Sequence, residues 1–219
     1  MSDFKIIVFD LDGTLTNPEQ EMLGAAAYAL EHFGMKNTDP EKLKLFLKVP
    51  LLHCFEEDFG LTHDQANKAF QHYWYYAGTF GVQKNIPYEG VPELLAELKN
   101  RDKRIAIATA RKTNNAQQIV KANKLDSYFE HVMGASEEDD RQTKKMIIFD
   151  LLCEMAPYED SEVVMIGDRA VDIQGAHDNG ISSIAVTFGQ EPREDLVKAN
   201  PTYIVDNVQE MARILLGEK

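Results

Sequence analysis

Phe4-Lys5-Ile6-Ile7-Val8-Phe9, followed at once by Asp10-Leu11-Asp12-Gly13-Thr14, is the stretch on which the reading of this chain turns. Its first six residues are almost continuously apolar, with β-branched and aromatic side chains and no two-residue alternation. That is the pattern of a strand covered on both faces, which parallel sheets require. Similar runs recur at 104–109 (RIAIAT), 130–134 (EHVMG), 163–167 (VVMIG) and 183–187 (SIAVT), with a weaker one at 203–205. Helical patterns separate them at 92–99, 114–123, 145–155, 171–179, 193–199 and 208–216. Strands alternating with helices predict an α/β fold, a doubly wound parallel sheet with helices on both faces.

The interval after the first strand breaks this alternation. It holds amphipathic helical stretches at 19–33, 40–46, 51–59 and 62–77 and no strand pattern. The organisation expected is therefore an α/β core of residues 1–16 and 86–219, with a helical domain of residues 17–85 inserted into it. Tyr73-Trp74-Tyr75-Tyr76 lies in the last inserted helix and reads as packing material for a small bundle.

The 219 residues carry a formal net charge of −13, with 44% hydrophobic and 27% charged residues. This is the composition of a globular protein. An acidic surface repels polyanions, so no nucleic-acid or membrane partner is expected. Any phosphate site must gather its own local cations. No stretch approaches the length of a membrane helix, and the run 4–9 is too short for a secretion signal, so a cytoplasmic location is expected. Cys54 and Cys153 match no metal or redox spacing and are expected to be buried free thiols of a reducing compartment. Composition is silent on oligomeric state.

In a doubly wound sheet, ligands bind at the carboxyl ends of the strands, where Asp10-Leu11-Asp12-Gly13-Thr14 falls. Two carboxylates one residue apart can face a common centre as the strand opens into a loop. One then serves as nucleophile or metal ligand and the other as general acid and base. Gly13 permits a sharp turn and a close backbone approach. An Asp-Gly pair alone would mark only a turn, but the full pattern arises by chance in on the order of one chain per few hundred.

With these residues, the chain resembles the haloacid dehalogenase superfamily, in the phosphoglycolate-phosphatase-like branch with a helical cap. The first family motif matches Asp10, Asp12, Gly13 and Thr14. The second, a hydroxyl residue ending the next core strand, matches Thr109. The third, a lysine opening a later helix, matches Lys144 or Lys145; Lys144 is preferred because Ile148 stands four residues on, where the family packs an isoleucine inward. The fourth matches Gly167-Asp168-Arg169-Ala170-Val171-Asp172.

The resemblance implies Mg²⁺ as cofactor, held by the carboxylates of Asp10 and Asp168 and the backbone carbonyl of Asp12. It implies phosphate contacts from Thr109, the Ala110 amide and Lys144. Asp172 would bind a metal water or orient Lys144, facing the same way as Asp168 if that segment is helical. Relatives often follow the motif-two hydroxyl with Asn or Ser and then Lys, whereas here Ala110-Arg111-Lys112 follows Thr109. Arg111, Lys112, Lys48 and His53 are therefore candidate substrate contacts.

The activity implied is hydrolysis of a small phosphate ester through an aspartyl-phosphate, with Asp10 as nucleophile and Asp12 as acid and base. A dehalogenase would lack the second aspartate of the first motif. A sugar phosphomutase of the same fold would keep both carboxylates, and cap residues would decide between them. A non-enzymatic phospho-receiver module would be shorter, with its acidic pair on the first strand and its phosphoacceptor later.

Overall fold

The computed structural model describes residues 4–136 and 143–218. The chain begins with β1 (Ile6–Phe9) and a two-residue strand β2 (Thr16–Asn17). The helices α1 (Glu19–Glu31), α2 (Pro40–Leu43), α3 (Leu51–His53) and α4 (His63–Tyr76) come next. After a short strand β3 (Ile86–Pro87) the alternation starts: α5 (Val91–Asn100), β4 (Arg104–Lys112), α6 (Thr113–Ala122), β5 (His131–Ala135), α7 (Lys144–Glu154), β6 (Val163–Gly167), α8 (Ala170–Asp178), β7 (Ser182–Val186), α9 (Arg193–Lys198), β8 (Tyr203–Val205) and α10 (Val208–Leu216).

Six strands form one sheet in the order β5-β4-β1-β6-β7-β8, and every adjacent pair is parallel. The α/β fold with a helical segment between β1 and β4 is thus the one expected. All four residues of β1 are buried, as its unbroken apolar run demands of a strand with helices on both faces. From β1 the chain builds outward on one side through β4 and β5, then returns to build the other side through β6, β7 and β8. β1 therefore sits where the winding reverses, the place at which such sheets open a crevice at their carboxyl edge.

Between β4 and β5 the register slips. Ala108 pairs with Met133 and Lys112 with Ala135, so β4 carries four steps where β5 carries two. The extra residues bulge at Thr109–Arg111, a device that re-aims side chains beside active sites. Gly134 makes this possible, because a Cβ there would lie 2.0 Å from the Arg111 carbonyl oxygen.

Pro18–Ile86 forms a compact unit of its own. Its core joins α1 to α4 through small residues, Ala25, Ala26 and Ala29 on one helix and Ala66 and Ala69 on the other. Beside them pack Phe46, Phe55 and Phe59. Near the two ends of the unit, buried Asn85 donates from Nδ2 to Glu21 Oε2 at 2.8 Å. The helices expected at 40–46 and 51–59 are shorter than the pattern suggests. α2 tightens into a 3₁₀ turn over Lys44–Leu47, and α3 widens into a π turn over Cys54–Asp58. Pro50 separates the two, since a residue before proline is steered away from helical angles.

Two expectations about packing need correction. Tyr73 is buried, but Trp74 and Tyr75 are exposed at 43% and 54%. Neighbours on a helix point about 100° apart, so four consecutive aromatics cannot share one core face. Likewise Cys54 is buried, with its thiol pushed up to about 12 by burial and by the nearby Asp58, whereas Cys153 is exposed. Cys153 lies off the face of α7 that buries Ile147, Ile148, Leu151 and Leu152.

Gly134→Ala is expected to destabilise the protein by about 2 kcal/mol or more, because the new methyl group must displace backbone rather than a pliable side chain. Urea unfolding of the two proteins measures this; equal midpoints would show that the bulge yields without cost.

Candidate active site

Three adjacent strands end at the same edge of the sheet, and each delivers a polar residue there. Asp10 follows β1, Thr109 stands in the terminal part of β4, and Asp168 follows β6. The Asp10 amide donates to the Ile166 carbonyl at 2.8 Å, so Asp10 is still held as strand. The chain then turns sharply: the amides of Leu15 and Thr16 both donate to the Leu11 carbonyl, at 3.0 and 2.9 Å. Gly13 takes φ +88°, and a Cβ there would lie 2.1 Å from Asp168 Oδ2. Only glycine meets both demands.

Lys144, the first residue of α7, reaches this edge. Its Nζ lies 2.8 Å from Asp10 Oδ1, 2.8 Å from Asp172 Oδ1 and 2.8 Å from the Ala108 carbonyl oxygen. All three side chains are buried. Lys145 is exposed and faces Asp178 at 3.8 Å, so of the two candidates the structure brings only Lys144 to the centre. Burial opposes the Lys144 charge, but Asp10 and Asp172 outweigh it and hold the ammonium above the ordinary lysine range.

Asp168 is fully buried between two glycines. Besides the Gly13 contact, a Cβ at Gly189 would lie 2.2 Å from its own Cβ. The Gln190 amide donates to Asp168 Oδ2 at 2.7 Å, and Thr14 Oγ1 to Oδ1 at 3.4 Å. The Asp172 expectation changes in its reasoning. Asp168 precedes α8 rather than belonging to it, so the two do not share a helical face. Asp172 instead turns back, accepting the Arg169 amide on Oδ2 at 3.1 Å and offering Oδ1 to Lys144.

The carboxylates of Asp10, Asp168 and Asp172 each place one oxygen within 4.8 Å of the others. Among the described residues, Lys144 is paired with two of these three carboxylates. Burial shifts the acidity of Asp10 and Asp168. Burial pushes Asp10 up to about 6, more than the pull of Lys144 lowers it. Burial, reinforced by Asp10, pushes Asp168 up to about 7 despite the Gln190 amide. Hard oxygen donors in surplus negative charge suit a divalent cation such as Mg²⁺.

Thr109 is buried, and its Oγ1 accepts from the Arg111 amide at 3.2 Å, which leaves the hydroxyl hydrogen to donate elsewhere. Ala110 is exposed on the bulge. Asp12 is half-buried and paired with Arg111: Nε donates to Oδ2 at 2.8 Å and Nη2 to Oδ1 at 3.0 Å. Lys112 is exposed, and Lys48 and His53 are exposed residues of the helical unit. Sequence reasoning missed the Phe188-Gly189-Gln190 turn that cradles Asp168. The signal was present, since a glycine in the loop after a strand of such a sheet marks close backbone approach.

Known proteins resemble this chain over most of its length. The sequence profile of the haloacid dehalogenase-like hydrolases matches residues 7–186. A 5'-nucleotidase of Pseudomonas aeruginosa is 31% identical over 209 residues, which cover 95% of this chain and 94% of that protein. A phosphoglycolate phosphatase of Haemophilus influenzae is 24% identical over 223 residues, covering 98% and 99% of the two chains. A solved structure from Clostridium difficile superposes with a TM-score of 0.92 at 34% identity, covering 98% of this chain and all of that one. No helix among the described residues is long and apolar enough to cross a membrane.

Asp168 provides a test in protein stripped of metal with EDTA. A carboxyl raised from 3.8 to about 7 on folding adds stability at low pH and loses it as pH rises through 7. Asp168→Asn cannot ionise, so it is expected to melt above the wild type at pH 8, with the gap closing towards pH 5. A gap that stays constant over that range would show that Asp168 is not charged at a cost.

Proposed function

The chain belongs to the haloacid dehalogenase-like hydrolases, and on that premise we propose that it is a Mg²⁺-dependent phosphatase of a small phosphomonoester. Its substrate in this reading is phosphoglycolate or another metabolite phosphate. The observation that carries this reading is Asp10, buried at the carboxyl end of the central strand, 2.8 Å from Lys144 and clustered with Asp168 and Asp172.

The donor set fits the metal. Asp10 and Asp168 would hold it together with the Asp12 carbonyl, while Asp172 already has one oxygen on Lys144 and the other on the Arg169 amide. When bound, Mg²⁺ supplies positive charge beside the phosphoryl oxygens. The remaining chemistry belongs to the chain. An Asp10 oxygen attacks phosphorus as the ester oxygen departs, and Asp12 gives that oxygen a proton. Asp12 then takes a proton from the water that cleaves the aspartyl-phosphate. Lys144 neutralises charge at the nucleophile, and the Thr109 hydroxyl and Ala110 amide donate to phosphoryl oxygens. Such preorganised donors at developing charge are the largest source of rate in phosphoryl transfer.

Phosphate release from a panel containing phosphoglycolate, nucleoside 5'-monophosphates, sugar phosphates and pyrophosphate tests the reading, with EDTA abolishing turnover. Asp10→Asn is expected to lower kcat by about a thousandfold or more, and the wild type to carry acid-stable phosphate on Asp10 when quenched in turnover. Near-normal turnover in Asp10→Asn would sink the reading.

Metal binding has its own readout. At about 100 times its Kd, Mg²⁺ is expected to raise the melting temperature of the wild type by ~5–10 °C. Protons compete for Asp10 and Asp168, raised to about 6 and about 7, so the rise shrinks from pH 8 towards pH 5.5. A rise that is independent of pH would place the ion elsewhere.

A further inference from the structure

Glu191 lies in the loop that carries Gln190 past Asp168. Its Oε2 accepts the Ala170 amide at 2.5 Å, which puts a carboxylate at the first residue of α8, where the helix dipole favours it. One residue earlier, the Gln190 amide donates to Asp168 Oδ2 at 2.7 Å. Adjacent residues of the loop after β7 thus grip Asp168 and Ala170 on either side of the turn from β6 into α8.

The grip matters because the last side-chain torsion of an aspartate is broad, so hydrogen bonds decide how its carboxylate is turned. The Gln190 amide fixes Oδ2 and thereby the plane of the whole group, including the oxygen that joins Asp10 and Asp172 within 4.8 Å. Thr14 Oγ1 donates to Oδ1 at 3.4 Å, a longer contact. The loop itself is tied upstream, where the Tyr88 hydroxyl donates to the Phe188 carbonyl at 3.4 Å and the two rings meet edge to face. Downstream it runs into α9, which buries Leu196. Glu191 fastens it between these ties, next to the amide that orients Asp168.

We propose that Glu191 is a positioning residue: by latching the loop after β7 onto the Ala170 amide, it keeps the Gln190 amide on Asp168 and so sets the affinity of the carboxylate cluster for Mg²⁺. This rests on the metal reading above and gives Glu191 no bond to the ion. Groups that orient a metal ligand from behind are worth about 10–100-fold in affinity. Asp168 keeps its Thr14 contact and the loop its other ties, so the lower end of that range is expected.

The test is calorimetric titration of EDTA-stripped protein with Mg²⁺, in which Asp168→Asn identifies the heat that belongs to the site. Glu191→Leu removes latch and charge together, whereas Glu191→Gln removes the charge and keeps an acceptor. Ala170→Pro removes the latch from the other side and keeps the charge. Proline suits the first helical position, and Arg169, at φ −130° and ψ 150°, suits the residue before it. The Kd is expected to rise about tenfold in Glu191→Leu and in Ala170→Pro and to stay within about threefold in Glu191→Gln. The double variant Glu191→Leu with Ala170→Pro is expected to lose no more than either alone. If one of the two latch variants does not fold, the other is read against Glu191→Gln. Equal losses in Glu191→Gln and Glu191→Leu overturn the proposal and make Glu191 act through its charge. A wild-type Kd in the latch variants, or additive losses in the double variant, overturns it as well. The metal reading fails separately: a wild type with no Mg²⁺ heat that depends on Asp168 removes both, whereas a normal wild type with unaffected latch variants removes only the role of Glu191.

Discussion

A lysine ammonium taken out of water has to be compensated where it ends up, and Lys144 is compensated by two carboxylates and a carbonyl at the carboxyl edge of the sheet. Much of the surrounding sequence follows from that. The stem of Lys144 passes Gly175, where a Cβ would stand 3.1 Å from Lys144 Cγ. Asp172 comes close because Gly167 has no side chain: a Cβ there would lie 2.3 Å from the Asp172 Cβ. Asp168 joins Asp10 and Asp172 within 4.8 Å, so the cluster holds an electrostatic demand for a further cation. The fold places that demand beside the one carboxylate at the switch point of the winding.

The sheet was legible because its central strand has no polar alternation to mislead the reading. Ile6 to Phe9 are buried without exception, and 163–167 and 203–205 coincide with β6 and β8 residue for residue. Elements of the helical insert were less well read. Apolar periodicity locates a helix but does not distinguish an α turn from a tighter or wider one, and Lys44–Leu47 and Cys54–Asp58 differ in just that way. The same periodicity misjudged Trp74 and Tyr75, because aromatic content says nothing about which side of the helix a residue occupies.

At the site, residues carried by strand ends were readable, since strand order and strand end fix where Asp10, Thr109 and Asp168 stand. Pairings between distant loops were not. The Arg111–Asp12 contact spans 99 positions and depends on a register slip between β4 and β5 that the hydrophobic pattern does not encode. The same is true of the Gln190 amide on Asp168, which depends on how the loop after β7 folds back.

The interleaved strand order also has a consequence for how the molecule comes into being. Asp10 is near the start of the chain, but Lys144 and Asp168 lie 134 and 158 positions later. Until α7 packs on the sheet and β6 docks alongside β1, Asp10 lacks first its ammonium and then its neighbouring carboxylate, and the loop that bears it stays hydrated. Contacts of such long sequence separation form late and slowly. The centre is therefore among the last parts of the protein to assemble during synthesis, and a chain stalled before residue 163 holds the first motif without the means to use it.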